Sequence, residues 1–224
     1  RSSDLLIPHS LTMLANVNRQ LGRLEDARGY YEEVLGVTRG TLSPDSIVSA
    51  LTGLERVHVL KGDEESAIKH LSDALTIANE SNISFRIPPL AEELAYIYLK
   101  RGDLTYTRRY LGDLVTSAQA LNTVRFYAKT LFVAALLWYK EGRIEQAAQW
   151  AGLLEQHEQH LDTSRFAQFC NTLKHELGEV HYLKSSTAGQ ILVLKDVLQI
   201  LADELTRSAS NISTSGLTVQ ADEY

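Results

Sequence analysis

Histidine pairs are the residues of this chain whose types and spacing come nearest to a metal site. His157 and His160 lie three residues apart in a helical stretch, which would place both imidazoles on one helix face as two metal ligands. The His-Glu-x-x-His zinc motif needs a spacing of four, and the stretch from His175 carries Glu179 where that motif needs histidine. We interpret both stretches as solvated helix faces and predict no metal site.

Two potential nucleophiles lack the groups that would activate them. Ser66 and Lys69 have Ser-x-x-Lys spacing, but Ala67 between them is needed for helix packing and no companion motif is present. Cys170 lies in an apolar stretch with no histidine nearby, which predicts a buried structural thiol. The chain has no Gly-x-Gly-x-x-Gly or Gly-Lys-Ser/Thr phosphate loop. We therefore predict that it is not an enzyme and needs no cofactor.

Composition excludes several partner classes. The 224 residues are 44% hydrophobic and 22% charged, as in a globular protein with a sizeable core. A net charge of −6 without a basic run argues against direct nucleic-acid binding. The longest apolar stretch, 131–139, is too short for a membrane span, and the single cysteine suits a reducing compartment, so we expect a cytoplasmic protein. Because the chain begins with Arg1, we expect either a processed product or, as the preferred interpretation, a fragment of a longer polypeptide.

A repeat of 40 residues organises the helices that carry these side chains. Glycines recur at this spacing, at Gly22, Gly62, Gly102 and Gly142. Five residues after each glycine stands a small residue, namely Ala27, Ala67, Thr107 and Ala147. Glycine ends a helix cheaply in the left-handed conformation, and the small residue allows close approach of the next helix. Asp63 and Asp103 are placed to cap the second helices, and Ser43 with Pro44 to begin a first helix. The repeat predicts an all-α fold of antiparallel helix pairs.

The helix map divides the chain into five pairs and a tail. We predict ten helices in one domain, 1–207, and a flexible Ser/Asn/Thr-rich tail at 208–224. The predicted helices are 4–21, 24–39, 44–61, 64–80, 87–101, 104–121, 123–141, 144–160, 163–183 and 188–206. The fifth pair, 163–206, is degenerate because Tyr182 replaces the repeat glycine.

The repeat resembles the tetratricopeptide repeat. In the first pair the likeness is carried by Leu14, Ala15, Gly22, Ala27 and Tyr31, and in the fourth by Ala134, Ala135, Trp138, Gly142 and Ala147. The period of 40 departs from the usual ~34, and Thr107 replaces alanine in the third pair. In period and style the chain is also similar to the helical repeat domains of large bacterial signal-transducing regulators, including the maltose-activator-like group.

The resemblance implies a right-handed α-α superhelix whose first helices line a concave, ligand-binding groove. The groove residues it implies are Asn16, Arg19, Thr52, Arg56, Glu92, Tyr96, Lys100, Lys129, Phe132 and Tyr139. Gly53, Pro89 and Glu93 stand where a chaperone-tail clamp needs Asn and basic residues, which argues against that ligand. The leading hypothesis is a non-catalytic scaffold that binds a protein or peptide partner. The alternative is an effector-sensing or regulatory module of a larger bacterial transcriptional regulator or signal-transduction ATPase, with partners among that polypeptide's other domains.

The last predicted helix has an apolar face too wide for a solvent-exposed end. Two interpretations remain open. Either this face is covered within the chain, or it contacts a partner or a second copy to form a homodimer. The candidates for self-association are Leu194, Leu198 and Leu201.

Overall fold

The computed structural model describes residues 3–37 and 43–217, with side chains in 7–36 and 43–207. Within these ranges the chain forms eleven α-helices, one 3-10 helix and no strand, so the all-α prediction is confirmed. None of these helices is long and apolar enough to cross a membrane. The helices are α1 (Ser3–Gln20), α2 (Leu24–Val37), α3 (Pro44–Lys61), α4 (Glu64–Glu80), α5 (Ile87–Arg101), α6 (Leu104–Leu121), α7 (Val124–Lys140), α8 (Ile144–Glu155), the 3-10 helix (Glu158–His160), α9 (Thr163–Leu177), α10 (Glu179–Gly189) and α11 (Leu194–Leu217).

The repeat glycines end the first helices as the spacing predicts. Their φ angles are 75°, 76°, 76° and 80° at Gly22, Gly62, Gly102 and Gly142. Beyond the second glycine, the Asp63 carboxylate accepts a hydrogen bond from the Ser66 amide at 3.1 Å and so caps α4. Asp103 caps α6 in the same way, through the Tyr106 amide at 3.1 Å. Local sequence therefore fixes the turn within each pair.

The helices form two compact units, Arg1–Ile97 (unit 1) and Tyr98–Tyr224 (unit 2). In unit 1, α2 packs against both α1 and α3. Burying this apolar surface is the main stabilising contribution. The core between the three helices consists of Ala15, Ala27, Tyr31, Val34, Ala50, Leu54 and Val57.

Unit 2 has an aromatic core. The rings of Trp138 on α7 and Trp150 on α8 meet edge-on with centroids 4.2 Å apart. Phe132, also on α7, lies 5.5 Å from Phe166 and 5.8 Å from Phe169, both on α9. Such edge-to-face pairs contribute beyond the area that they bury. The aromatic side chains thus join both α8 and α9 to α7.

The fifth pair differs from its prediction. Gly178, with φ 76° and ψ 152°, divides the predicted helix 163–183 into α9 and α10. The new helix packs on α8 at backbone distance, because a Cβ on Gly152 would lie 1.9 Å from the Ser186 carbonyl oxygen. A Cβ on Gly189 would likewise lie 1.7 Å from the Gln149 carbonyl oxygen. The pair is thus organised by contact with α8 and not by the 40-residue register.

The C-terminal helix also differs from its prediction. α11 begins at Leu194 and continues to Leu217, so residues 208–217 are helical where the sequence predicted a tail. No proline or glycine interrupts the chain between Arg207 and Gly216, which leaves nothing local to stop the helix. The rest of the predicted tail, 218–224, lies outside the described residues, and the single domain at 1–207 stays a prediction. α11 packs on α6 and α7.

Candidate binding face

Six of the predicted groove residues lie on the first helices of unit 1. α1 contacts α3 directly, and each of the two helices carries two of these polar side chains. Arg56 is exposed and the other five are half-buried. We call this set the unit 1 first-helix face: Asn16, Arg19, Thr52, Arg56, Glu92 and Tyr96.

Two residues of this face also hold the fold together. The Tyr31 hydroxyl donates to Asn16 Oδ1 at 2.8 Å, which joins α2 to α1. The Thr52 hydroxyl donates to the Val48 carbonyl oxygen at 2.7 Å within α3. Each of these hydrogen bonds positions a side chain and leaves further hydrogen-bonding capacity. An amide or a hydroxyl can make more than one hydrogen bond as donor or acceptor.

Arg19 carries a polar atom that the fold leaves unsatisfied. Its Nε is buried and has no hydrogen-bond partner among the described residues. A buried donor without an acceptor costs about 1–3 kcal/mol. If the side chain turns outward, an acceptor on a bound molecule recovers that free energy, so this guanidinium is a candidate ligand contact.

Sequence reasoning missed Glu55, an unusual residue that precedes Arg56 of this face on α3. It is only 7% exposed, although a carboxylate is rarely buried without a partner. The repeat register could have revealed it, because the equivalent residues Ala15, Ala95 and Ala135 are all small and fully buried. A glutamate in this register breaks the packing rule of the other pairs, and such breaks are expected at functional sites.

Burial and a like charge both act on the Glu55 carboxyl. Loss of solvation is the larger cause and the Glu93 carboxylate adds to it, while Arg56 and Arg19 act in the opposite direction. Together they raise the pKa of Glu55 to about 7. A titratable group shifted by desolvation and specific charges in this way is typical of a functional site.

The remaining polar groove residues lie on unit 2. Lys100 is exposed, while Lys129 and Tyr139 are half-buried. The Tyr139 hydroxyl donates to Glu176 Oε1 at 2.6 Å, and this bond raises the pKa of the tyrosine. Tyr139 therefore links α7 to α9, whereas the sequence assigned it to ligand binding.

Phe132 is a correction to the predicted groove. Its side chain is 1% exposed and lies against the rings of Phe166 and Phe169. The helical register alone could not separate a groove position from a core position on α7, since nearly every residue of this helix is apolar.

The self-association candidates are a second correction. Leu194, Leu198 and Leu201 are all buried within the chain, where α11 packs on α6 and α7. Further along α11, Glu204 forms an ion pair with Arg143. The apolar face of α11 is thus covered by its own chain, and these leucines offer no surface to a second copy.

The two histidines considered as metal ligands lie outside the α-helices. α8 ends at Glu155, so His157 lies between two helices and His160 ends the 3-10 helix. Across the described ranges, no group of three His, Cys, Asp or Glu side chains is placed to hold a metal ion. Cys170 is buried as predicted, and burial raises the pKa of its thiol.

A cavity in unit 2 is a second candidate site, and sequence reasoning did not find it. It has a volume of about 390 Å³ and opens beside α10. Tyr182 and Gln190 both donate to the Glu155 carboxylate in its wall, at 2.9 and 3.3 Å. The cavity depends on the close packing of α10 on α8, which no local pattern indicates.

Comparison with known proteins supports the repeat. Residues 6–80 match the family model described as Tetratricopeptide repeat, and this match ends at the last residue of α4. Residues 6–80 are thus similar to the tetratricopeptide repeat, a class that typically mediates protein–protein interactions and is generally non-catalytic. Searches for similar curated proteins and similar solved structures gave no match. The likeness to maltose-activator-like regulators stays a prediction.

Proposed function

We propose that this chain is a non-catalytic scaffold that binds a protein or peptide through the unit 1 first-helix face. The observation that carries this proposal is the buried Arg19 Nε, which lacks a hydrogen-bond partner. A partner's carbonyl or carboxylate oxygen would accept from Arg19, while the exposed Arg56 adds a second positive charge. In its ionised form, Glu55 would accept a hydrogen bond from an N–H group of the same partner.

We also propose the cellular location and the partner classes that the sequence predicted. The chain works in the cytoplasm without a cofactor, and its partners include other domains of the same polypeptide. It binds neither nucleic acid nor membrane, since its net charge of −6 is unfavourable for both polyanions.

Charge reversal tests the face directly. The full chain and its Arg19→Glu/Arg56→Glu variant would be immobilised, and the proteins that each retains from an extract would be compared quantitatively. We expect the variant to retain at least about tenfold less of a specific partner than the natural chain does. The reason is that the new negative charges repel the acceptor groups of the partner. Arg125→Glu is the matched control, since Arg125 is exposed on α7 in unit 2. Equal retention by all three proteins would refute the assignment of this face.

The unit 2 cavity favours a second candidate function, the sensing of a small effector. Its 390 Å³ volume suits a small molecule, and Glu155 is a polar group held in place in its wall. A set of metabolites would be screened for a shift in the melting temperature of unit 2. We expect Leu183→Trp, which fills the cavity mouth, to abolish the shift. A shift that survives this substitution would remove the cavity from consideration.

A further inference from the structure

The wall of the unit 2 cavity carries a carboxylate without a cationic partner. Glu155 accepts one hydrogen bond at Oε1 from the Tyr182 hydroxyl, at 2.9 Å, and one at Oε2 from Gln190 Nε2, at 3.3 Å. Both donors are neutral, so they hold the carboxylate in place and leave its negative charge unbalanced. Among the side chains that the structure describes, no lysine, arginine or histidine forms an ion pair with Glu155. This point of the wall therefore favours a positive group on a ligand.

The Tyr182 side chain connects this carboxylate to a cation, Lys174. Tyr182 is only 4% exposed, and Lys174 Nζ lies 5.2 Å from the centroid of its ring. Burial raises the pKa of Tyr182, and its hydrogen bonds to Cys170 and Glu155 add to this effect, so the hydroxyl keeps its proton and remains a donor. A buried ring thus holds the two charges at a set separation.

The thiol of Cys170 lies within the influence of both charges. Burial is the main cause that raises its pKa, and a hydrogen bond with Tyr182 acts in the opposite direction. Glu155 raises this pKa further, whereas Lys174 lowers it. The two charges therefore lie near one atom, yet within the described part of the chain they form no ion pair with each other. Each is left able to bind a group of opposite charge on the same ligand.

The rest of the cavity lining limits the ligands that fit. Glu179 adds a second carboxylate, so the wall has two negative charges and one positive charge, which is unfavourable for nucleotides and other polyanions. Val180 and Leu183 add apolar surface, with exposed fractions of 80% and 65%. A ligand that matches this lining is small, carries both an ammonium and a carboxylate, and has an aliphatic body.

We propose that the unit 2 cavity binds an aliphatic α-amino acid in its zwitterionic form. The ammonium of the ligand donates to Glu155, its carboxylate accepts from Lys174, and its side chain packs on Leu183. This inference rests on the candidate effector-sensing function of the cavity and gives that function a ligand class. The volume of about 390 Å³ lies within the usual range of small-molecule sites.

Three probes of similar shape separate the contributions of the two charges. L-leucine carries both charged groups, isopentylamine has the ammonium without the carboxylate, and isocaproic acid has the carboxylate without the ammonium. Binding of each probe to the full chain at neutral pH would be measured by ligand-observed NMR titration, which reports weak binding. We expect leucine to bind at least about tenfold more tightly than either analogue, because each analogue leaves one charge of the wall unpaired.

Two charge-neutralising variants assign the charged groups by a crossed pattern. Glu155→Gln should weaken leucine and isopentylamine at least about tenfold and should not weaken isocaproic acid. Lys174→Gln should weaken leucine and isocaproic acid by a similar factor and should not weaken isopentylamine. Lys174 is exposed, so its replacement leaves the fold intact even if the change at Glu155 does not. Glu145→Gln and Lys184→Gln, at exposed residues of α8 and α10, are the matched controls and should bind the probes as the natural chain does.

The outcomes separate the ligand class from the cavity itself. Tightest binding of leucine together with the crossed pattern supports the proposal. Equal binding of the three probes, or leucine binding that Lys174→Gln does not weaken, overturns the amino-acid assignment. If leucine does not bind but Leu183→Trp abolishes the response to another metabolite, the ligand class is wrong and the effector-sensing function stands. If Leu183→Trp abolishes no response to any probe or metabolite, both are wrong.

Discussion

The Tyr31 ring lies directly on Gly53, so close that a Cβ at residue 53 would be 2.2 Å from a ring carbon. The hydroxyl of the same tyrosine donates to Asn16 at 2.8 Å. One side chain of α2 therefore joins α1 and α3 at once. The glycine is required here by the space that it leaves and not by its backbone freedom.

Replacing this glycine should destabilise the fold. We expect Gly53→Ala to lower the free energy of unfolding by about 1–3 kcal/mol, because the fully buried Tyr31 has no room to move away. Urea denaturation followed by circular dichroism measures the change. Gly29→Ala on α2 is the matched control, since a Cβ there meets nothing within 4 Å. It should be stabilising by roughly 0.5–1 kcal/mol. Equal effects of the two substitutions would contradict the Tyr31 contact.

Glu55 should make stability depend on pH. Its pKa is about 7 in the folded chain and 4.5 is its ordinary value, so the folded state binds the extra proton between these limits. The contribution of this group to the free energy of unfolding is therefore complete below pH 4.5 and is lost as the pH rises through 7. The shift corresponds to about 3 kcal/mol at most. We expect Glu55→Gln to be more stable than the natural chain at pH 8 and to show little difference at pH 4.5.

Glu55→Gln and the natural chain must be compared at each pH, because groups with a lowered pKa change the stability in the opposite sense as the pH varies. Ion pairing with Lys61 lowers the pKa of Glu25, and the capping bond from Ser66 lowers that of Asp63. Their contributions are lost as the pH falls and cancel in the difference. A difference between Glu55→Gln and the natural chain that does not change from pH 5 to 8 would contradict the shifted pKa.

The approach of α10 to α8 should depend on Gly152. We expect Gly152→Ala to release α10, because its Cβ would overlap the Ser186 carbonyl oxygen and backbone cannot turn aside as a side chain can. Hydrogen–deuterium exchange should show faster exchange across α10, and any ligand of the cavity should bind more weakly. Gly112→Ala on α6 is the control, as a Cβ there has no neighbour within 4 Å. Unchanged exchange in the first variant would show that the helices can separate at little cost.

The buried face of α11 gives a prediction on stability and association together. We expect Leu198→Asn to lower the free energy of unfolding by about 3 kcal/mol or more, because it leaves a cavity and a polar group in the core. Sedimentation equilibrium should show no change in molecular mass. Ile200→Asn, at an exposed residue of the same helix, should alter neither property. A dimer that becomes a folded monomer with Leu198→Asn would instead restore the self-association hypothesis.

Much of the fold could be predicted because its signals are local. The bounds of α3 to α6 agree with the sequence, since the Ser43 cap with Pro44, the glycine turns and the caps at Asp63 and Asp103 all act within a few residues. The fifth pair could not be predicted in this way. Its geometry depends on Gly152 and Gly189, which act through backbone groups of a helix distant in the chain.

The candidate sites show the same division. A register comparison would have found Glu55, because it replaces an alanine that the other pairs share. No comparison of residue types could find the exposure of Leu14, since it has the same side chain as the buried Leu54. Leu54 is buried because α2 lies over it, and that is a property of the neighbouring element.

The packing of α11 on α6 and α7 affects how unit 2 is made. In a simple repeat array each pair touches only its neighbours, so folding can spread from one pair to the next. Here the last helix returns to helices that precede α8, α9 and α10 in the chain, which adds contacts of long sequence separation. During synthesis from the N-terminus, the surfaces of α6 and α7 that α11 covers in the folded chain remain exposed while α8, α9 and α10 are translated. Unit 2 therefore completes its fold only after the ribosome has released α11.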